Sequence, residues 1–302
     1  MPSLGLIWRM TRPGFLTASA VACALGWAVA ASGRWPFHGG YALWTLVLAL
    51  ALHAAANVLN DAADAQNGGD AINQEAIAPF TGGAGLIQSG QVSLAQTRAV
   101  AGWLFALVIL DGVALTYWAS RDLLGYGAAG ALLAWGYSAP PLALMRRGVG
   151  ELAVALAWVL MVGGADCVQR GAFSPLPLVL GLSYALLMAN VLLVNGLPDI
   201  KADAAVGKRT LVVRLGRSRV PLLYGVLALA AHALALYLAW RCGLHVWALL
   251  PQLSALLSAR AWWLLRRQRS QVASLRPVIV LTIAAALLHG LAWCAALLMG
   301  NS

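Results

Sequence analysis

The stretch Tyr41–Asp64, YALWTLVLALALHAAANVLNDAAD, decides how the rest of the chain is read. Residues 41–59 carry no charge, and the run then closes on Asp61 and Asp64. A helix needs about 20 residues to cross the hydrocarbon core of a bilayer, so this reads as a membrane span with acids at its mouth. Runs of the same kind recur on both sides, at 15–32, 99–118, 122–142, 149–168, 175–196, 220–240, 245–264 and 277–299. Inside a bilayer every backbone N–H and C=O needs an internal partner, so the runs are expected to be helices. The sequence thus predicts an all-α polytopic membrane protein of about nine transmembrane helices, one domain over residues 1–302.

Composition agrees. The chain is 61% hydrophobic and 10% charged, whereas soluble domains are roughly 45–50% apolar and about 25% charged. No polar linker separates the runs. Small residues such as Gly125, Gly127 and Gly130 are expected to let helix backbones approach closely. Cys23, Cys167, Cys242 and Cys294 lie far apart without metal or redox spacing, which leaves them as ordinary buried thiols. No cleavable signal peptide is evident behind Arg9 and Arg12.

A formal charge of +10 raises the question of nucleic acid. The basic residues argue against it, because they gather between the apolar runs, where they orient helices. With the N-terminus inside, fifteen fall on the inner face and only Arg34, Arg121, Arg170 and Arg241 on the outer one. The expected partner is therefore a lipid bilayer, with no nucleic acid, and the N-terminus and Asp-bearing loops are cytoplasmic.

The acids are distributed differently. Asp61, Asp64, Asp70 and Glu75 follow the second run and Asp199 and Asp203 the sixth, so six of the ten acids occupy two segments on one face. Solubility does not explain this, since the other inner loops are almost free of acid. Asp61 and Asp64 are three apart and Asp199 and Asp203 four apart, so on a helical extension each pair shares a face. Asn57 and Asn195 stand one turn before the two pairs. The repeat, four spans apart, suggests a duplicated four-helix unit.

Carboxylates one turn apart repel, and two such pairs facing a cavity call for a cation. Hard oxygen ligands suit Mg²⁺, which takes one or two carboxylates, keeps waters and bridges to phosphates. Neither cluster contains His or Cys, which disfavours zinc. At 4 Å two like unit charges repel by roughly 4 kcal/mol at an effective dielectric of 20, so carboxylates and a diphosphate share a site only through metal. A solvated loop or a helix cap would explain any one aspartate. Two matched pairs on one face of an acid-poor chain argue for the metal.

These residues resemble the UbiA superfamily of intramembrane prenyltransferases over nearly the whole chain. The family's first motif, N-D-x-x-D with a third Asp, is matched by Asn60-Asp61-Ala62-Ala63-Asp64 and Asp70. The second, D-x-x-x-D, is matched by Asp199 to Asp203, followed by Gly207-Lys208-Arg209-Thr210-Leu211 and Arg214-Leu215-Gly216. Tyr137-Ser138-Ala139-Pro140-Pro141, with Arg146-Arg147 and Gly150-Glu151-Leu152, is similar to the family's loop after the fourth span. Asp70 and the segment Pro79-Phe80-Thr81-Gly82-Gly83-Ala84-Gly85-Leu86-Ile87-Gln88-Ser89-Gly90 look like the 1,4-dihydroxy-2-naphthoate branch of menaquinone synthesis. Asn195-Gly196-Leu197-Pro198 departs from that branch's Asn-Asn-x-Arg, and Pro198 is expected to bend the chain there. Ala71, Ile72, Asn73 and Gln74 are less polar than their counterparts in the branch.

The resemblance implies Mg²⁺-dependent transfer of a polyprenyl group from an allylic prenyl diphosphate to an aromatic acceptor, 1,4-dihydroxy-2-naphthoate with loss of carbon dioxide. 4-Hydroxybenzoate and homogentisate are alternative acceptors. The helices would surround a central cavity open to the cytoplasmic side of a bacterial inner membrane. Asp61, Asp64, Asp70, Asp199 and Asp203 would hold the metal, with Asn57, Asn60 and Asn195 orienting ligands. Lys201, Arg146 and Arg147 would neutralise the leaving group. Tyr137 would face the carbocation or anchor at the interface.

A transporter is the competing class, but its acids belong at mid-bilayer rather than at span ends. A non-catalytic lipid- or quinone-binding protein needs no paired metal ligands. Asp111 and Asp166 are expected to make structural hydrogen bonds, and His53 to pack. His38, His232, His245 and His289 have no ligand spacing. Arg266, Arg267 and Arg269 are expected to meet anionic lipid, and the tryptophans to form interfacial belts.

Overall fold

Each apolar run becomes a helix in the computed structural model, which describes residues 1–268 and 272–300. The order is α1 (Leu4–Met10), α2 (Pro13–Ser32), α3 (Gly39–Asn67), α4 (Gly69–Ile72), α5 (Leu94–Trp118), α6 (Leu123–Ser138), α7 (Gly150–Arg170), α8 (Leu176–Asn195), α9 (Ile200–Ala205), α10 (Leu211–Arg241), α11 (Leu253–Gln268) and α12 (Arg276–Met299). No strand occurs among the described residues.

Seven of these helices, α2, α3, α5, α7, α8, α10 and α12, are long and apolar enough to cross a membrane. The predicted spans at 122–142 and 245–264 become α6 and α11, of 16 residues each, so a count of nine crossings is not confirmed. Prolines shorten both. Pro140 and Pro141 stop α6 at Ser138, and α11 starts only after Pro251. Other boundaries have equally local causes. Ser93 and Gln96 form a capping box at the start of α5. Gly68, at φ +81°, ends α3 in the left-handed conformation. Gly216, at φ +69°, breaks α10 after its first turn.

The core lies where α2, α7, α8, α10 and α12 meet, around Leu25, Val162, Leu180, Tyr184, Ile279 and Trp293. Lipid is as apolar as these side chains, so close packing rather than hydrophobicity holds the helices together. Glycines permit it. A Cβ at Gly26 would stand 2.3 Å from the Val162 carbonyl oxygen, and one at Gly290 2.4 Å from Val21. The Gly125–Gly130 segment does not have this role: Gly125 and Gly127 touch no neighbour, and Gly127 and Gly130 line a cavity.

Polar side chains around His289 bond to one another, although Asn190 Oδ1 and His232 Nδ1 nearby are buried without a partner. His289 Nε2 meets Ser183 Oγ at 3.1 Å, its Nδ1 meets Ser254 Oγ at 3.1 Å, and Trp293 Nε1 donates to Ser183 Oγ at 3.0 Å. Asp166 is fully buried in a bidentate pair with Arg170, 2.8 Å on both contacts, the structural role expected of it. Asp111 is half-buried and stands away from the cavity. Cys23 and Cys167 are buried, whereas Cys242 is exposed, against expectation. Trp118 and Trp240 are exposed near helix ends, but Trp103 is exposed midway along α5, and Trp158 and Trp293 belong to the interior. The Arg266 and Arg267 guanidiniums lie over Trp262 and Trp263, and Arg269 falls outside the described residues.

Candidate active site

A cavity of about 550 Å³ runs through the bundle. At one end stand Asn60, Asp64, Asp70, Asp199, Asp203 and Lys208, and the remainder is walled by apolar side chains such as Leu48, Leu52, Val108, Val154 and Trp158. Ile109, Val113 and Leu124 line it and are also 53%, 55% and 58% exposed on the bundle surface, so it opens sideways between α5 and α6.

The first carboxylate pair is carried by α3, which continues past its apolar part to Asn67 and sets Asn57, Asp61 and Asp64 on successive turns. Asn57 Nδ2 donates to the Thr11 carbonyl at 3.0 Å, fixing the turn between α1 and α2. Asn60 Nδ2 donates to Asp64 Oδ2 at 3.3 Å and contacts Met145 Sδ at 3.0 Å. Asp61 lies just behind the cavity wall. Its Oδ2 accepts from the Ala84 backbone N–H at 2.9 Å, while its buried Oδ1 has no partner. A Cβ at Gly83, φ +67°, would stand 2.9 Å from both Asp61 Oδ1 and Asp70 Oδ2. Glycine there is what lets the two carboxylates converge on the loop.

The second pair follows a turn over Gly196–Pro198, the bend expected of the proline. Asp199 begins α9, and the Asp203 N–H donates to its carbonyl at 2.8 Å, so the pair shares one helical turn. Asp199 Oδ1 accepts from Asn73 Nδ2 at 2.6 Å, so the segment after Asp70 supplies a direct link despite its low polarity. Lys208 joins the two motifs, with Nζ 2.8 Å from Asp64 Oδ1 and 3.2 Å from Asp203 Oδ1. The loop between α4 and α5 closes over both: besides Asn73 and Ala84, its Gln88 donates to Asp70 and its Glu75 accepts from Arg217 at 2.6 Å.

The electrostatics are those of a site with too much negative charge. Burial, then the charges of Asp64, Asp61 and Asp199, pushes Asp70 up to about 7. Burial and Asp203 push Asp199 up to about 7. Asp203 is also raised, by burial, against the opposing pull of Lys208. For Lys208, burial is outweighed by Asp64 and Asp203, which hold it above its ordinary value.

Among the described residues no three His, Cys, Asp or Glu side chains converge into a ready-made metal cage. Mg²⁺ does not require one, because it takes one or two carboxylates and completes its shell with water and substrate phosphate. The unpartnered Asp61 Oδ1, facing Asp70 across Gly83, and the all-oxygen donor set fit such an ion.

The remaining predicted residues divide. Tyr137 and Asn195 line the cavity, and Asn195 Oδ1 is buried without a partner. Lys201, Arg146 and Arg147 stand outside it. Lys201 is 72% exposed and paired with Glu75, Arg146 is exposed, and Arg147 donates to the Pro141 carbonyl at 2.6 Å. Among the described residues the Lys and Arg side chains on the cavity wall are Lys208 and Arg12. Arg12 donates to the Phe80 carbonyl at 2.8 Å and keeps a buried, unpartnered Nε. His53 also lines the cavity, bonded to Ser19 Oγ at 2.8 Å and edge-on to Trp158.

A helical bundle with paired aspartates at the mouth of an apolar, laterally open cavity suits a membrane enzyme that acts on a substrate with an anionic head and a lipid-like tail. The chain belongs to the UbiA prenyltransferase family, whose sequence pattern matches residues 19–277. It is 28% identical to the 1,4-dihydroxy-2-naphthoate octaprenyltransferase of Haemophilus influenzae, over 98% of this chain and 97% of that protein. Its fold is that of a UbiA homolog from Aeropyrum pernix K1, with a TM-score of 0.72, 18% identity and 92% and 96% of the two chains covered. It also matches a UbiA homolog from Archaeoglobus fulgidus bound to DMAPP and Mg²⁺, with a TM-score of 0.58, 16% identity and coverage of 97% and 99%.

Proposed function

We propose that this protein transfers a polyprenyl group from an allylic diphosphate to 1,4-dihydroxy-2-naphthoate, with release of carbon dioxide and diphosphate. The observation that carries the reading is the Lys208 bridge, which gathers the two aspartate pairs at one end of an apolar cavity. The acceptor follows the naphthoate relative named above.

In this reading Asp61, Asp64 and Asp70 would hold one Mg²⁺ and Asp199 and Asp203 another, and the ions would supply the positive charge that lets diphosphate leave the first prenyl carbon. Lys208 and Arg12, rather than Lys201, Arg146 and Arg147, supply the protein's positive charge to the leaving group. Asn57, Asn60 and Asn195 orient ligands, and the Tyr137 ring faces the allylic carbon as positive charge develops. Apolar walls hold the tail and keep water from the carbocation. The carboxylate end faces the cytoplasm of a bacterial inner membrane, as the basic residues direct.

The test is prenyl transfer by purified protein in nanodiscs, with farnesyl or geranylgeranyl diphosphate, Mg²⁺ or EDTA, and each of the three acceptors in turn. Product with the naphthoate, dependent on Mg²⁺ and lost in Asp61→Ala, is the expected result. Product with 4-hydroxybenzoate or homogentisate alone would keep the chemistry and replace the acceptor.

A further inference from the structure

The aspartate pairs account for diphosphate, but the acceptor also requires a proton to move. Glu151, in the first turn of α7, is a carboxylate outside both motifs. It lines the cavity at 9% exposure, and among the described residues no other side chain hydrogen-bonds or pairs with it. Its carboxylate accepts from its own backbone N–H, and a carboxyl set among apolar helices without a partnering side chain is costly, which is why such groups mark function.

Its position is specific. Glu151, Val154, Trp158 and Met161 recur at helical spacing and all line the cavity, so Glu151 heads the face of α7 whose lower part walls the apolar arm. The preceding residue, Gly150, backs onto the Tyr137 ring, 3.5 Å from an added Cβ. Just before it, the 3₁₀ turn Leu144–Arg147 brings Met145 against Asn60, the neighbour of Asp61. Glu151 therefore stands at the junction of the diphosphate end and the prenyl arm, where the bond to the acceptor must form.

We propose that Glu151 is the general base for the aromatic acceptor, an inference that rests on the transferase reading above. As the ring carbon bearing the carboxylate attacks the first prenyl carbon, the adjacent hydroxyl becomes a carbonyl and its proton passes to Glu151. The C–O bond to diphosphate breaks, and its electron pair leaves with diphosphate. The resulting β-keto carboxylate loses carbon dioxide, and the electrons of that C–C bond form an enolate. Glu151 returns its proton to the enolate oxygen, restoring the aromatic ring and its own charge. No net proton is consumed, so one carboxyl serves both halves of the reaction.

Glu151→Gln keeps the shape and removes the base. Expected are unchanged Mg²⁺-dependent binding of a non-hydrolysable prenyl thiodiphosphate, an acceptor KM within a few-fold, and a kcat lower by about 10²–10⁴-fold. The deficit should shrink along a series of hydroxynaphthoates made more acidic by electron-withdrawing substituents, because an ionised acceptor needs no base. Glu151→Asp should recover part of the rate, and it replaces Glu151→Gln in the same assays should the latter not fold. A kcat within a few-fold of wild type, or a deficit constant across the acceptor series, would overturn the inference alone. A wild-type protein inactive with every aromatic acceptor would overturn the transferase reading and this inference with it.

Discussion

Around His289 the bundle interior is polar and closed, whereas at the carboxylate end of the cavity it is polar and open. Both His289 ring nitrogens have partners, and Ser183 serves His289, Trp293 and the Leu180 carbonyl together. At the cavity mouth, Asp61 Oδ1 and Asn195 Oδ1 are buried without partners, and Asp70 and Asp199 are driven up to about 7 by burial and crowding of like charge. Groups that complete one another hold a membrane fold together. An unpartnered atom alone does not mark a ligand, since His232 Nδ1 and Asn190 Oδ1 lack partners away from the cavity; crowded carboxylates beside such atoms do.

The contrast is broken most directly at the mouth. Asp61→Ala or Asp199→Ala should cost about 10³-fold or more in prenyl transfer, since on the proposed reading each would remove a metal ligand. The same variants should melt close to wild type in EDTA, because relieved repulsion offsets the lost hydrogen bonds from the Ala84 N–H and Asn73. Lys208→Met should cost about 10²-fold in transfer, by analogy with loss of one electrostatic contact to a developing charge. Unlike the aspartate variants it should also lower the melting temperature in EDTA, since Asp64 and Asp203 lose their shared counter-ion.

In the closed region the signs reverse. His289→Leu leaves Ser183 and Ser254 with unmet hydrogen-bonding capacity and should lower stability by about 1–3 kcal/mol, with the folded fraction retaining full specific activity. A pH comparison sharpens the difference further. Asp70 and Asp199 hold protons up to about pH 7 when folded, against an ordinary value of 3.8. The folded protein thus binds more protons than the unfolded chain between these limits, and metal-free stability falls as pH rises through that window. Melting in EDTA should be higher at pH 6 than at pH 8, with Mg²⁺ removing the difference. The smallest effect belongs to Lys201→Ala and Arg146→Ala, which should change transfer by less than about threefold, as exposed charges away from the cavity.

The spans and the aspartate pairs were legible in the sequence because hydropathy and helical spacing are local patterns. The bridge from Lys208 to Asp64 crosses 144 residues and that from Asn73 to Asp199 crosses 126, so neither leaves a local trace. Lys201 stands outside the cavity, and its spacing carries the reason. On α9 it stands two residues after Asp199, roughly 200° around the helix and therefore on the far side from the pair. Residue 208 lies beyond the helix, free to fold back toward both carboxylates. Gly83 had a signal in its glycine-rich segment, but its role between Asp61 and Asp70 is visible only in three dimensions.

Ile109, Val113 and Leu124 face both the chamber and the surrounding hydrocarbon, so the chamber has no floor against which to measure its occupant. A tail longer than the chamber passes into lipid with no methylene transferred to water, an exposure that would cost about 0.8 kcal/mol for each. On the proposed reading, donor length would be set by whichever diphosphates the membrane supplies. The lengthened product would already lie in its own solvent when the new bond closes, and would depart by lateral diffusion. The chamber would then be a berth rather than a ruler.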